Sequence, residues 1–146
     1  MKGRLSIIAD FVFKPAFDAA EKGAKRGQPL PQFNLGLMYY KGRVVAEDYK
    51  EAVKWWRLAA EQGFAEALNN LGMMYGNGDG VAKDDVEAHK WFDLAASRHP
   101  PGRKRRKSVH DRDFLTRKMT SAQIAEAERR VHEWTAAFEK REKEED

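Results

Sequence analysis

The 146 residues contain no cysteine. Disulfides, thiolate metal sites and a cysteine nucleophile are therefore excluded, and packing alone must hold the fold. Long hydrophobic runs are missing as well: charges interrupt every segment short of the roughly 20 apolar residues that a membrane-spanning helix needs. Met1 to Asp10 opens with the basic residues of a secretory leader, but Asp10 ends the apolar run after a few positions, so no leader is expected. A cytoplasmic location follows as the expectation, with export to the periplasm left open. Histidine is scarce. His89, His99, His110 and His132 are too scattered to read as a ligand pair, so neither a metal nor any other cofactor is expected.

Signals of catalysis are equally thin. Gly76-Asn77-Gly78-Asp79-Gly80 has the look of a phosphate-cradling loop, but it follows a helix and lacks the Lys-Ser or Lys-Thr ending that such loops use. Adjacent carboxylates such as Asp84 and Asp85 are accounted for by helix capping. No catalytic residue is assigned, and the chain is expected not to be an enzyme.

What the sequence does hold is a repeat. Asn34-Leu35-Gly36-Leu37-Met38-Tyr39-Tyr40-Lys41-Gly42 returns as Asn70-Leu71-Gly72-Met73-Met74-Tyr75-Gly76-Asn77-Gly78, and Trp55-Trp56-Arg57-Leu58-Ala59-Ala60 returns as Trp91-Phe92-Asp93-Leu94-Ala95-Ala96. Of the 27 positions from Asn34 to Ala60, 16 recur unchanged 36 residues later, which rules out a shared composition bias as the cause. Within the unit, Ala52, Trp55, Trp56, Ala59 and Ala60 fall at i, i+3, i+4, i+7 and i+8, one face of a helix. Asp48 with Glu51, and Asp84 with Glu87, stand three apart, where an N-cap carboxylate and an N3 glutamate can satisfy free backbone N–H groups. Gly42 and Gly78 end the preceding helix, since glycine takes the left-handed conformation that closes one. Each repeat is thus helix, loop, helix. Alanines allow close approach, while Tyr39, Trp55, Tyr75 and Trp91 are expected to fill the wider gaps.

The pattern N-L-G-x-M-Y-x-x-G-x-x-V-x-x-D-x-x-E-A-x-K-W-[WF]-x-x-A-A resembles the Sel-one-like repeat, a relative of the tetratricopeptide repeat with a longer inter-helix loop. The likeness runs from Gly27 to about Ala96, roughly half of the chain. It implies an all-α fold, an α-α superhelix of helix-turn-helix repeats. It also implies an adaptor or scaffold role, in which stacked helices present a groove to a partner protein. Phe33, Leu37, Tyr40 and Lys41 would line that groove in the first repeat, with Asn69, Met73 and Asn77 in the second. The alternative for Phe33, Leu37 and Met73 is plain packing between helices. Two departures from the family pattern stand out. Val44-Val45 replaces the glycine-valine of Gly80-Val81, putting a β-branched residue where a positive φ is expected. Pro29 and Pro31 open the first helix, which a first turn tolerates.

Outside the repeats, Ala16, Ala24 and Gly27 stand 36 residues before Ala52, Ala60 and Gly63, so residues 15–26 read as a decayed second helix that caps the stack, with Pro15 in its first turn and Phe11, Phe13 and Phe17 as cover. Beyond the second repeat, His99-Pro100-Pro101-Gly102 reads as a break. Between Arg98 and Lys118 nine Lys or Arg face two Asp, a local charge of +7 against −3 for the rest of a chain whose net charge is +4. Arg103-Lys104-Arg105-Arg106-Lys107 has no apolar residue to bury and reads as an exposed linker. A last helix is expected from Thr120, with Gln123 completing a capping box and Ile124, Ala127, Val131, Trp134 and Phe138 on one face. Its start resembles the tail that follows the repeats in many bacterial members. The expected organisation is a cap over 1–26, repeats over 27–62 and 63–98, a basic linker over 99–118 and a C-terminal capping helix with a charged tail over 119–146.

Two functions from different classes remain. The first is a protein-binding groove. The second is nucleic-acid or anionic-surface binding through Arg103 to Lys107, helped by Arg98, Arg112, Arg117 and Lys118. That contact would be salt-sensitive and blind to base sequence, since no aromatic residue interleaves the cluster. Two repeats are few for a solenoid, whose units need neighbours to bury their faces, so self-association is a further expectation.

Overall fold

In a computed structural model, the backbone is described for residues 4–146 and side chains from Phe11 onward. The segment Met1 to Asp10, read above for a leader, lies partly outside the described residues. Seven helices and no strand follow one another among the described residues: α1 (Arg4–Lys25), α2 (Pro29–Lys41), α3 (Tyr49–Glu61), α4 (Ala65–Asn77), α5 (Asp85–Arg98), α6 (Arg103–Thr116) and α7 (Ser121–Glu145). The all-α repeat architecture is as the periodicity implies. Successive helices from α1 to α6 pack pairwise, and α7 packs back onto α5. Among the described residues no helix is long and apolar enough to cross a membrane.

Both repeats start and stop their helices by the same chemistry. The Asp48 carboxylate accepts from the Glu51 backbone N–H at 3.1 Å, and that of Asp84 from Glu87 at 3.1 Å. Gly42 and Gly78 close α2 and α4 at φ of 64° and 74°. The two glutamates do not complete the capping box. The N–H groups of Asp48 and Asp84 already donate to the carbonyls of Tyr39 and Tyr75 at 2.9 Å, so the carboxylates of Glu51 and Glu87 are released for other partners. Strain at Val44 is absent too: no described residue other than glycine has a positive φ, whereas Gly80 sits at 69°, so the two loops differ in shape. The prolines leave helix entry intact, with Pro29 at the first helical position.

The main core cluster centres on Ala52, Trp56, Leu68, Leu71, Met74, Trp91 and Ala95, flanked by a smaller one at Phe92, Leu115 and Ala127 and another at Ala20, Ala24 and Leu35. Small residues on one helix meet rings on the next, and this lets the helices lie close together.

Both ends differ from expectation. α1 begins at Arg4, so Pro15 lies inside the helix rather than in its first turn, where its ring deprives the Phe11 carbonyl of its helical donor. Phe17 packs edge-on to Tyr39 at 6.1 Å, but Phe11 is 84% exposed and covers nothing. The basic stretch expected as a linker is helix α6. Long-range bonds hold it: Lys104 pairs with Glu66 at 2.8 Å, buried Ser108 donates to Asn69 Oδ1 at 2.8 Å, and Arg112 pairs with Asp93 at 2.7 Å. Helices α6 and α7 keep the repeat phase. Thr120 falls 36 residues after Asp84, and Ser108 the same interval after Gly72. They are therefore in register with a third unit that has lost its framework residues. Only four residues join them, against seven between α4 and α5, and both helices lean on α5 instead of packing along one another.

Helix α7 buries Ala127, Trp134 and Phe138, with Trp134 edge-on to Trp91 at 6.5 Å and the Arg98 guanidinium 4.0 Å from the Phe138 ring. Its start is a complete capping box. Thr120 Oγ1 accepts from the Gln123 N–H at 3.1 Å, and Gln123 Oε1 accepts from the Thr120 N–H at 2.9 Å. Thr120→Ala is expected to lower the unfolding free energy by about 1 kcal/mol, read as a shift of the urea midpoint with the slope unchanged.

Candidate functional site

α2, α4 and α6 share one face, on which most of the expected groove residues gather with part of the basic run. Phe33 and Leu37 from α2, Glu66, Asn69 and Asn70 from α4, His99, and Lys104 and Lys107 from α6 line one groove of about 290 Å³. Beside it lies a second, of about 270 Å³, where Met73 and Asn77 meet Lys107, Asp111, Phe114 and Lys118. Lys107 belongs to both, so the two depressions form one continuous surface. Two expected residues fall elsewhere. Tyr40 stacks on Tyr49 at 5.3 Å and leans on Trp56 at 5.5 Å, which makes it a packing residue. Lys41 lies at the α1 end of the stack.

Helix geometry divides the five consecutive cations. At about 100° per residue they radiate around α6. Lys104 and Lys107 face the groove, Arg105 lies in a separate depression with Asp93 and Arg112, and Arg103 and Arg106 point to solvent. Two of the groove-facing charges are already partnered, Lys104 by Glu66 and Lys107 by Asp111 at 2.7 Å. The five cations of the run thus do not share one face.

The groove floor has a defined charge state. Burial, the strongest single influence on the Glu66 carboxyl, pushes it up, but the hydrogen bonds from Lys104 and from its own backbone N–H, together with the nearby Lys104 charge, outweigh burial and hold the group below the usual carboxylate range. His99, 5% exposed, is pushed down by burial against a smaller opposing pull from Glu66, which favours the neutral ring. Glu66, Asn70, His99 and Phe114 are lining residues that the sequence does not assign to the groove. The first two stand one helical turn apart beside Asn69, a spacing visible in the sequence. His99 and Phe114 depend on how α6 folds back. Among the described residues no group of three or more His, Asp or Glu is placed to hold a metal ion.

This arrangement of paired helices with a shared inner face defines a short α-solenoid. Residues 32–64 and 65–99 each match the model of the family described as Sel1 repeat, so the chain carries two Sel1 repeats. Two of the solved structures similar to it illustrate the likeness. One is a protective antigen present in uropathogenic Escherichia coli strains and displaying an SLR fold, 28% identical over 95% of this chain and 32% of the other, with a TM-score of 0.77. The second is a Sel1 repeat protein from Oxalobacter formigenes, 31% identical over 76% of this chain and 47% of the other, with a TM-score of 0.64. The chain thus spans about a third and about half of the lengths of these two. None of the curated proteins matches it. Sel1 repeats are, as a family, protein–protein interaction modules and typically non-catalytic.

Proposed function

We propose that this protein is an adaptor whose α2–α4–α6 groove binds an extended, acidic segment of a partner protein, working by binding rather than catalysis. The observation that supports this is the place of Lys107, which joins the two depressions. Apolar side chains of the partner enter beside Phe33, Leu37 and Met73, and its carboxylates meet Lys104, Lys107 and Lys118. The Asn side chains at 69, 70 and 77 offer hydrogen bonds to its backbone. A groove of this kind discriminates by position of charge as well as by apolar contact.

The test is affinity capture from lysate with three variants, each confirmed folded by circular dichroism. Met73→Glu and the pair Lys104→Gln with Lys107→Gln are expected to reduce recovery of a specific protein at least tenfold. Neutralising Arg103, Arg105 and Arg106 leaves recovery within about twofold, because those side chains lie off the groove. Recovery of nucleic acid that disappears when the three arginines are neutralised would make the basic helix, not the groove, the working surface.

A further inference from the structure

The stack continues in its own register at the α1 end, but there the inner position is empty of any described helix. In the first repeat, α2 lies against Tyr49 and Trp56 of α3: its Tyr40 ring is 5.3 Å from Tyr49 and 5.5 Å from Trp56. Trp56 also covers Gly36, as Phe92 covers Gly72 in the second repeat. Thirty-six residues before Tyr49 and Trp56 stand Phe13 and Ala20 of α1. Both line an open cavity of about 470 Å³ between α1 and α2, so the cavity occupies the place of an inner helix one period before α2.

Its lining differs from the interior repeats in two respects. Where those carry Trp55 with Trp56, and Trp91 with Phe92, α1 carries Ala19 and Ala20, and Ala16 continues the same floor. Bulk that the repeats supply from the outer helix must here come from whatever enters. The rim carries Lys41 and Arg43, both exposed, and among the described residues the lining includes no carboxylate. We propose that this seat docks an amphipathic helix of a partner protein, one that presents large apolar side chains to Ala16, Ala19 and Ala20 and carboxylates to Lys41 and Arg43.

Charge also separates this occupant from a second copy of the chain. At the opposite end of the stack, α6 carries Arg103 to Lys107, which Lys41 and Arg43 repel, and α7 has no apolar residue after Phe138. Neither helix matches the seat. The surface is distinct from the α2–α4–α6 groove, although Leu37 borders both.

The probe is a fluorescein-labelled, hydrocarbon-stapled peptide with the sequence of residues 29–41, leucine in place of Gly36, and glutamate in place of Lys41 followed by a second glutamate. Its binding is read by fluorescence anisotropy. Saturable binding is expected, weakened at least tenfold by Ala16→Glu, which alters an exposed residue and leaves the circular dichroism spectrum unchanged. Lys41→Glu with Arg43→Glu weakens it as much, and a peptide with lysines in place of the two glutamates recovers binding to that variant alone. No binding, equal binding to all variants or failure of the charge swap overturns the proposal. So does a sedimenting dimer of the protein that Ala16→Glu dissociates, since the seat would then belong to a second copy.

Discussion

Trp56→Ala is expected to lower the free energy of unfolding by about 4 kcal/mol, the upper part of the range for truncating a large buried ring. Trp56 is fully buried at the junction of the first repeat. Its ring packs between Phe33 and Tyr40 at 6.5 Å and 5.5 Å, and its Nε1 donates a second hydrogen bond to the helical Phe33 carbonyl at 3.1 Å, so alanine leaves a cavity and loses that bond. The ring also explains Gly36, where a Cβ would stand 2.4 Å from its Cδ1 and Nε1. Gly36→Ala therefore destabilises the wild type by about 2 kcal/mol through overpacking. In the Trp56→Ala background the added methyl has room, and a double-mutant cycle in urea is expected to show coupling of at least 1 kcal/mol, or roughly a factor of five in the folding constant. Additive effects would mean that ring and glycine do not share one site. Trp55→Ala should cost less than half as much as Trp56→Ala, because Trp55 is half-buried with Lys54 over its face at 5.0 Å.

That contrast shows what the repeat did and did not reveal. Identity across the period drew notice to Trp55 and Trp91, yet in the first unit the buried centre is the neighbour, Trp56, whose counterpart is Phe92. Periodicity marks positions that stay the same, while burial depends on the rotation of the helix against both of its neighbours. The helices themselves were legible because their stops and starts are local: an aspartate that accepts an N–H three residues on, and a glycine able to adopt positive φ. α6 was illegible for the opposite reason. Of its fourteen residues only Ser108 and Leu115 are buried, so it shows no apolar stripe, and the contacts that fix it to Glu66, Asn69 and Asp93 span 19 to 39 residues. The groove shared that fate. Phe33, Leu37, Asn69 and Met73 were placed by analogy with helical repeats, but the lysines that complete their surface come from a segment whose helix the sequence does not display.

Acid is expected to loosen α7 from α5 through one carboxylate. Glu87, spared from capping, accepts from Arg130 at 2.7 Å and from Trp91 Nε1 at 3.1 Å, and pairs with Lys90 at 3.1 Å. Burial alone would push its carboxyl up, but Lys90 and Arg130 together outweigh that and hold it below the ordinary value of 4.5. A carboxyl whose native pKa is lower than its unfolded one binds fewer protons in the native state, so its contribution is full above about pH 4.5 and is lost as pH falls through the native value. Glu126, held at about 2 by hydrogen bonds from Arg129 and Arg130, titrates in the same direction at the acidic end of that window. Glu87→Gln keeps an acceptor for Trp91 but cannot balance the half-buried cations. At pH 7 it is expected to reduce stability by about 2 kcal/mol, a loss of roughly thirtyfold in the folding constant. The gap to wild type should narrow as pH falls from 5 toward 2, because protonation makes the wild-type side chain neutral as well. Urea midpoints measured across that range decide the matter: a gap that stays constant with pH would assign the loss to packing and remove Glu87 as the ionic link between the two helices.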